Sequence, residues 1–317
     1  MRGCGLLLTT LALAACGGGG MDPTPSPTPS PGPTPDPDPA IAAAGDIACG
    51  SASPSTAPCR QFETSELLVE IRPSAVLALG DDQYEFGQYQ DFLRYYDPSW
   101  GRLKPITRPA PGNHEYETAG ASGYFDYFAG IGRSTSEVTG ARGEGWYSFN
   151  VGTWHIVSLN SNCANIAGGC GANSPQVRFL RTDLQANRAA TCTLAYWHHP
   201  RYSSGKSRDD RTYQPFWDAL YEFGADVILV GHDHHYERFA PQNANGQADS
   251  ARGIRQFIVG TGGHSFQALG GALPNSEVRN NTTFGVIKMR LRATRYEWVF
   301  QPIPGGTFTD SGSDVCH

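Results

Sequence analysis

No run of residues in this chain is apolar and long enough to cross a bilayer as a mature helix; the stretch from Leu6 to Ala15 comes nearest and is too short. There is no Gly-x-x-x-x-Gly-Lys-Ser/Thr loop to cradle a nucleotide and no Gly-x-Ser-x-Gly elbow to present a nucleophilic serine. No internal repeat points to a solenoid or propeller. Positive charge is in short supply: 24 Lys and Arg stand against 30 Asp and Glu, a formal net charge of −6 with a pI near 5.8. That balance argues against nucleic acid as a preferred partner. No Cys-x-x-Cys pair is present, which counts against a thiolate zinc site.

What is present begins with a positive start, a short apolar core and small residues, the pattern of an export signal over residues 1–16. Leu13-Ala14-Ala15-Cys16 resembles the lipobox of bacterial lipoproteins, in which Cys16 is acylated and becomes the new N-terminus; an ordinary signal peptide with an incidental cysteine is the alternative. Residues 17–39 are glycines followed by a Pro-Thr-Ser-Asp run with almost nothing to bury, and read as a solvated, extended tether. The expectation is an exported body on a leash, lipid-anchored to a bacterial membrane and facing periplasm or cell surface. That body, residues 40–317, is long enough for one large domain, and 39% hydrophobic against 17% charged residues is a globular composition. Of eight cysteines, Cys4 leaves with the signal and Cys16 is the lipid site. The other six suit disulfides in an exported chain. Close spacing favours Cys49–Cys59 and Cys163–Cys170, leaving Cys192–Cys316 to pin the tail.

Three apolar runs, Ile41 to Ala44, Ala75 to Leu79 and Val227 to Val230, each end in glycine and read as strands buried on both faces. Ser174-Pro175 opens a helix with Val177, Leu180 and Leu184 on one face. A second helix carries Tyr213, Phe216, Leu220 and Phe223 and stops at Gly224. Strands alternating with helices predict a largely parallel central sheet holding those three runs, with ligands gathered at its carboxyl edge. The runs Trp146 to Val151, Thr153 to Leu159, Phe257 to Val259, Phe284 to Leu291 and Arg295 to Phe300 read as hairpins or mixed pairing in a second sheet. The expected class is α/β, two sheets packed together with helices outside.

The chemistry lies in five clusters: Gly45-Asp46, Gly80-Asp81-Asp82-Gln83-Tyr84, Gly112-Asn113-His114-Glu115, His198-His199-Pro200 and Gly231-His232-Asp233-His234. Together they supply carboxylates, an amide, imidazoles and a phenol, enough to hold two metal ions side by side, as metal-assisted phosphoester hydrolysis requires. Hard oxygen donors with imidazoles suit iron, zinc or manganese better than calcium or copper. Asp81, just past a strand end, suits a bridge between two cations. His155, alternating within Trp154-His155-Ile156-Val157, reads as a satisfied core residue.

In this order and spacing the set resembles the calcineurin-like metallophosphoesterases, and more narrowly the purple acid phosphatases, with Tyr236-Glu237-Arg238 adding to the likeness. The resemblance implies a four-layer α/β/β/α sandwich of two mixed sheets and a dinuclear centre of Fe(III) with Zn(II), Fe(II) or Mn(II). It implies that Asp46, Tyr84 and His234 bind the first metal, that Asn113, His198 and His232 bind the second, and that Asp81 bridges. His114 would face the substrate as proton donor or anchor, and Asn113 would also touch it. The reaction implied is cleavage of phosphomonoesters by a metal-bound hydroxide, with diester cleavage as the alternative and a non-catalytic surface-binding lipoprotein as the third reading. The expected partner is a small phosphate ester. Two departures from the family pattern carry weight. His198 and His199 compete for one ligand position, and His198 is preferred because one residue then proline follows it. Arg201, Lys206, Arg208 and Arg211 stand where the plant enzymes of the family carry further phosphate-gripping histidines; they either replace that grip with positive charge or form a solvated loop, and Arg201 is taken as the substrate contact. His235 and His264 are weaker candidates for the pocket lining. The segments 117–145 and 260–271 are expected to shape the pocket.

Overall fold

The computed structural model describes Thr10, residues 38–54 and residues 56–317. The expected signal peptide, Cys16 and the tether up to residue 37 lie outside the described residues, Thr10 excepted. Among the described residues no helix is long and apolar enough to cross a membrane.

The chain runs β1 (Ala40–Ala44), α1 (Gln61–Ile71), β2 (Ala75–Ala78), α2 (Tyr89–Asp91), β3 (Thr107–Pro109), α3 (Ser122–Phe128) and the short pair β4 (Thr135–Ser136) and β5 (Gly140–Ala141). It continues with β6 (Tyr147–Val151), β7 (Trp154–Ser158), α4 (Pro175–Ala186), β8 (Cys192–Tyr196), α5 (Gln214–Glu222), β9 (Val227–Val230) and β10 (Tyr236–Phe239). It closes with β11 (Arg255–Val259), β12 (Ser276–Asn280), β13 (Gly285–Leu291), β14 (Arg295–Pro302) and β15 (Ser311–Val315). Six strands form one sheet in the order β15-β14-β13-β1-β2-β3, and seven form the other in the order β12-β10-β11-β9-β8-β7-β6.

Two-residue periodicity divides each central strand of the second sheet between two cores. Leu194, Tyr196, Val227 and Leu229 face the first sheet, whose Ile41, Leu77 and Ile287 lie in the same apolar cluster. Ala195, Ile228 and Val230 face outward, where Val177, Leu180 and Leu184 of α4 and Phe216, Trp217 and Leu220 of α5 cover them. The helices form as the sequence reads: the Ser174 hydroxyl accepts from the Val177 N–H with Pro175 in the first turn, and Gly224, at φ 71°, follows α5. Leu68 of α1 and Tyr124 and Phe125 of α3 pack with the first sheet's side, giving four layers.

One expectation is corrected. β9 does not share a sheet with β1 and β2; it lies between β8 and β11, parallel to both, while β1, β2 and β3 form a separate parallel set. The three apolar runs are alike in hydropathy, and periodicity carries no information on which sheet a buried strand joins. Nor do the remaining strands gather in one sheet: β6 and β7 pair at the edge of the second, β13 and β14 in the first.

The three disulfides Cys49–Cys59, Cys163–Cys170 and Cys192–Cys316 are present, with Cα–Cα distances of 5.7, 5.1 and 5.4 Å. The third ties β8 of the second sheet to the residue after β15 of the first.

Candidate metal centre

Five of the seven proposed ligands stand just beyond strand ends: Asp46 after β1, Asp81 after β2, His198 after β8, and His232 and His234 after β9. The chain turns sharply there, and Asp46 (φ 61°), Asp81 (φ 50°) and His232 (φ 67°) all adopt left-handed backbone. Glycine precedes each, and at two points before a proposed ligand, Gly80 before Asp81 and Gly112 before Asn113, there is a steric reason. Gly80 has φ 87° and a Cβ there would lie 2.6 Å from His198 Nδ1, while a Cβ on Gly112 would lie 2.1 Å from Asp81 Oδ1.

The loops converge on Tyr84. Its buried hydroxyl oxygen stands 2.9 Å from Asp46 Oδ1, 3.0 Å from Asp81 Oδ2 and 3.0 Å from His234 Nε2. His234 Nε2 is 3.1 Å from Asp46 Oδ1. His198 Nε2 is 3.2 Å from Asp81 Oδ2 and 3.2 Å from His232 Nδ1. Asn113 Oδ1 is buried and has no hydrogen-bond donor. His198 is thus the histidine beside Asp81; His199 Nδ1 instead meets the Ser161 hydroxyl at 2.8 Å, its ring 4.2 Å from that of His232. His114 is on the rim, a quarter exposed, with Nδ1 2.6 Å from the Glu85 carbonyl and Nε2 3.9 Å from Asp81.

The charges in this cluster act strongly on one another. Burial works to raise the Asp81 carboxyl, but the charge and hydrogen bond of His198, with His114 and His232, hold it well below the usual carboxylate range. Burial likewise opposes Asp46, and His234 and His198 bring it below its ordinary value. Burial works against charge on His198 as well, yet Asp81 and Asp46 push it up to about 9. Burial and the neighbouring His199 and His198 drive His232 far down, and burial with His198 takes His199 down to about 3. Burial, Asp46 and Asp81 force the Tyr84 phenol well above 10.

These observations fit a pair of cations. His198 Nδ1 lies 2.8 Å from the Leu79 carbonyl, which only accepts, so Nδ1 carries one proton and Nε2 is the atom that faces Asp81, protonated in the metal-free fold and free to offer its lone pair to a cation once that proton leaves. Two carboxylates, a phenol and three inward imidazole nitrogens crowd together, and the protein alone balances them only by keeping a proton on His198. A metal ion in that place satisfies the same lone pairs, along with the orphaned Asn113 oxygen.

Residues outside the seven proposed ligands hold this arrangement. Glu115, fully buried, accepts from the N–H groups of Gly112 (2.6 Å), Asp81 (3.0 Å) and Gln83 (3.1 Å), tying two ligand loops together. The 260–271 stretch forms a wall: His264 N–H donates to the Asp46 carbonyl, Gln267 N–H to the His234 carbonyl, and the Ser265 hydroxyl meets His234 Nδ1 at 2.8 Å. The His264 ring stacks on Tyr84 at 3.7 Å, and its Nε2 stands 3.0 Å from Glu85 Oε1. No sequence signal marks Ser265 or Glu85. Glu115 had one, an acid directly following two candidate site residues.

Two assignments are corrected. Arg201 is fully buried, paired with Asp209 and hydrogen-bonded to the Gln214 side-chain oxygen, so it has no face toward the cluster. The cation of that loop acting on His199 and His232 is the exposed Lys206. The loop is pinned by Asp233, which accepts from Ser203 and Ser207, and by Glu237, which accepts from Ser204. His235 is buried against Glu237 at 3.1 Å and does not line the opening. His155, as read, is a core residue, its Nε2 2.6 Å from Asp183. Of the segment 117–145, α3 packs into the core.

A two-sheet sandwich with this donor set at its strand ends defines a metal-dependent phosphoesterase class. The chain belongs to the calcineurin-like phosphoesterases, whose family model matches residues 40–236. It is similar to human acid phosphatase type 7, 30% identical over 255 residues that cover 70% of this chain and 54% of that protein. It is also similar to purple acid phosphatase 15 of Arabidopsis thaliana, 29% identical over 176 residues, 52% of this chain and 32% of that one. The purple acid phosphatase PPD1 from yellow lupin seeds shares the fold, with a TM-score of 0.70 at 17% identity over 89% of this chain and 55% of that one. The chain spans about half or less of the curated relatives it matches. A dinuclear metal centre is the site such proteins carry, and the cluster holds candidates for every ligand position.

Proposed function

We propose that this chain is an exported phosphatase that cleaves phosphomonoesters at a dinuclear centre of Fe(III) with Zn(II), Fe(II) or Mn(II). The observation that carries the reading is the Tyr84 hydroxyl, placed within 3.0 Å of Asp46, Asp81 and His234, where a phenolate ligand to ferric iron would stand. Asp46, Tyr84 and His234 would hold one metal, Asn113, His198 and His232 the other, and Asp81 would lie between them. When bound, the metals supply a nucleophile at neutral pH and absorb charge on the phosphoryl oxygens.

The chain's own residues then have separable tasks. His114 N–H donates to Asp81 Oδ1 at 2.9 Å, so the backbone that presents the His114 ring also fixes the bridging carboxylate. With His114 Nδ1 committed to the Glu85 carbonyl, Nε2 is the atom left to hold or give a proton at the leaving oxygen. Lys206 takes over the role first given to Arg201, as the positive charge near the entrance. Localisation is proposed from the leader: acylation at Cys16 and attachment to a bacterial membrane, testable by incorporation of labelled palmitate into wild type and not into Cys16→Ser.

Turnover of an aryl phosphate monoester is to be compared with that of its bis-aryl diester across pH, with Asp81→Ala as control. Monoester turnover absent from the control supports the proposal. Diester preference would reassign the same site to phosphodiester cleavage, and no turnover with metals loaded would leave a binding protein.

A further inference from the structure

The outer face of β13, β14 and β15 carries a second polar concavity, of about 470 Å³, lined by Lys288, Arg290, Arg295, Glu297, Ser311 and Ser313 among others. Pairing places these side chains on one face, with Arg290 opposite Glu297 and Glu297 opposite Ser313. Glu297 is already shared between Arg292 (2.8 Å) and Arg295 (3.4 Å), which leaves Lys288 and Arg290 without an ion pair among the described residues. A chain with a formal net charge of −6 therefore concentrates four cations, Lys288, Arg290, Arg292 and Arg295, around two carboxylates here, Glu297 and Asp38. Val315, opposite Arg295 on the edge strand, is 67% exposed.

Two further features give this face a partner. The N-terminal segment enters the body at its border: Asp38 pairs with Arg292 at 2.5 Å, and the Leu291 N–H donates to the Pro39 carbonyl at 2.8 Å. Cys16 lies 22 positions before Asp38, counting 38 − 16. The concavity also begins at the end of the first sheet remote from the metal centre. Arg290 pairs with Ala40, the first residue of β1, whereas Asp46 follows the last, Ala44; a five-residue strand puts roughly 17 Å between those ends.

We propose that this face docks on an anionic phospholipid surface. Headgroup phosphates sit in the concavity against Lys288, Arg290 and Arg295, Ser311 and Ser313 supply hydroxyl donors, and Val315 enters the interfacial layer. Docked so, the body holds its metal centre away from the bilayer, open to substrate. The inference rests on the membrane localisation proposed above for why such a surface is within reach; the palmitate experiment tests that localisation separately.

The test is sedimentation of the full chain, as Cys16→Ser, with phosphatidylglycerol–phosphatidylcholine vesicles and with pure phosphatidylcholine vesicles, read as the ratio of the two. Lys288→Ser/Arg290→Ser is expected to lower that ratio roughly thirty-fold, at about fivefold for each cation removed, with metal content and turnover unchanged. If the double variant fails to fold, Lys288→Gln and Arg290→Gln singly are each expected to lose about fivefold. An unchanged ratio in the variants, or no preference of the parent protein for anionic vesicles, would overturn the docking. So would full displacement by soluble glycerol phosphate, which would reassign the concavity to a free phosphate ester.

Discussion

Glu115 is given no metal to bind, yet removing it is expected to damage the site through the backbone. Its carboxylate is fully buried and accepts three N–H groups, from Gly112 and Asp81 on Oε2 and from Gln83 on Oε1. In Glu115→Ala those donors lose their acceptor in a closed space, at about 1–3 kcal/mol each. Against this, burial and the charge of Asp81 push Glu115 up to about 7, so deleting it also relieves repulsion. The balance is a loss of about 3 kcal/mol or more, a large share of the roughly 5–15 kcal/mol that holds a domain folded. Glu115→Gln keeps an oxygen for two of the donors and turns its amide toward the third, so it should lose only about 1 kcal/mol. Urea unfolding of metal-stripped protein, followed by tryptophan fluorescence, gives both values. Because Asp81 is placed through its N–H, the alanine variant should also bind metal more weakly, read by titration. A Glu115→Ala protein within about 0.5 kcal/mol of wild type, inside the range of a neutral surface change, would refute the reasoning.

Other outcomes separate the remaining roles. Asp81→Ala should lose metal and turnover together, whereas His114→Ala should keep metal and lose rate about 10²–10⁴-fold; equal metal loss in both would show the roles misassigned. Iron-loaded protein should absorb in the visible range and Tyr84→Phe should not, so an unchanged spectrum in that variant would remove Tyr84 from the ligand set. His198 titrates at about 9 in the metal-free fold against 6.5 when free, so the native state holds the extra proton between those values. Stability of stripped protein should be full below pH 6.5 and fall by about 3 kcal/mol as pH rises to 9; thermal midpoints that stay flat across that window would contradict the pairing with Asp81. Replacing both cysteines of Cys192–Cys316, 124 residues apart, should cost about 5 kcal/mol, more than the same change at Cys49–Cys59, 10 apart. Equal losses would argue against a loop-entropy origin.

The strand ends were legible because an apolar run stopped by Gly-Asp or Gly-His signals both a buried strand and a polar turn. The helix at Ser174 was legible from its cap, and the disulfides from their spacing. Sheet membership of β9 was not, since a strand buried on both faces shows the same residues whichever neighbours it has. Arg201 was misread because a charge in a polar loop looks solvated until Gln214, Asp209 and the Tyr202 ring are seen closing over it; its guanidinium carbon lies 4.3 Å from that ring's centre. Ser265 and the Leu79 carbonyl act through hydroxyl or backbone hydrogen bonds, which leave no spacing to read, and Glu115, though its place beside Asn113 and His114 was visible, gave no sign of the three N–H groups it accepts.

The correction to β9 bears on how the site works. Asp46, Asp81, Tyr84 and Asn113 follow strands of the first sheet, and His198, His232 and His234 follow strands of the second, so the two sheets divide the seven ligands four to three. The halves are stitched by the Gly45 N–H donating to the Val259 carbonyl, the His232 N–H to Asp46 Oδ2 and the His264 N–H to the Asp46 carbonyl, at 2.9, 2.9 and 3.0 Å. These bonds also hold Asp46 and His232 in left-handed backbone, and Glu115, accepting from the Asp81 N–H, does so for Asp81; that conformation costs of order 1–3 kcal/mol per residue unless its surroundings enforce it. The spacing of the side chains that would hold the two metals is therefore set by the packing of the two sheets, through the apolar layer of Ile41, Leu77, Leu194 and Leu229, as much as by any ligand's own loop. Among described residues outside that layer, the Cys192–Cys316 bridge crosses the same boundary, which places a covalent tie on the interface that the metal centre spans.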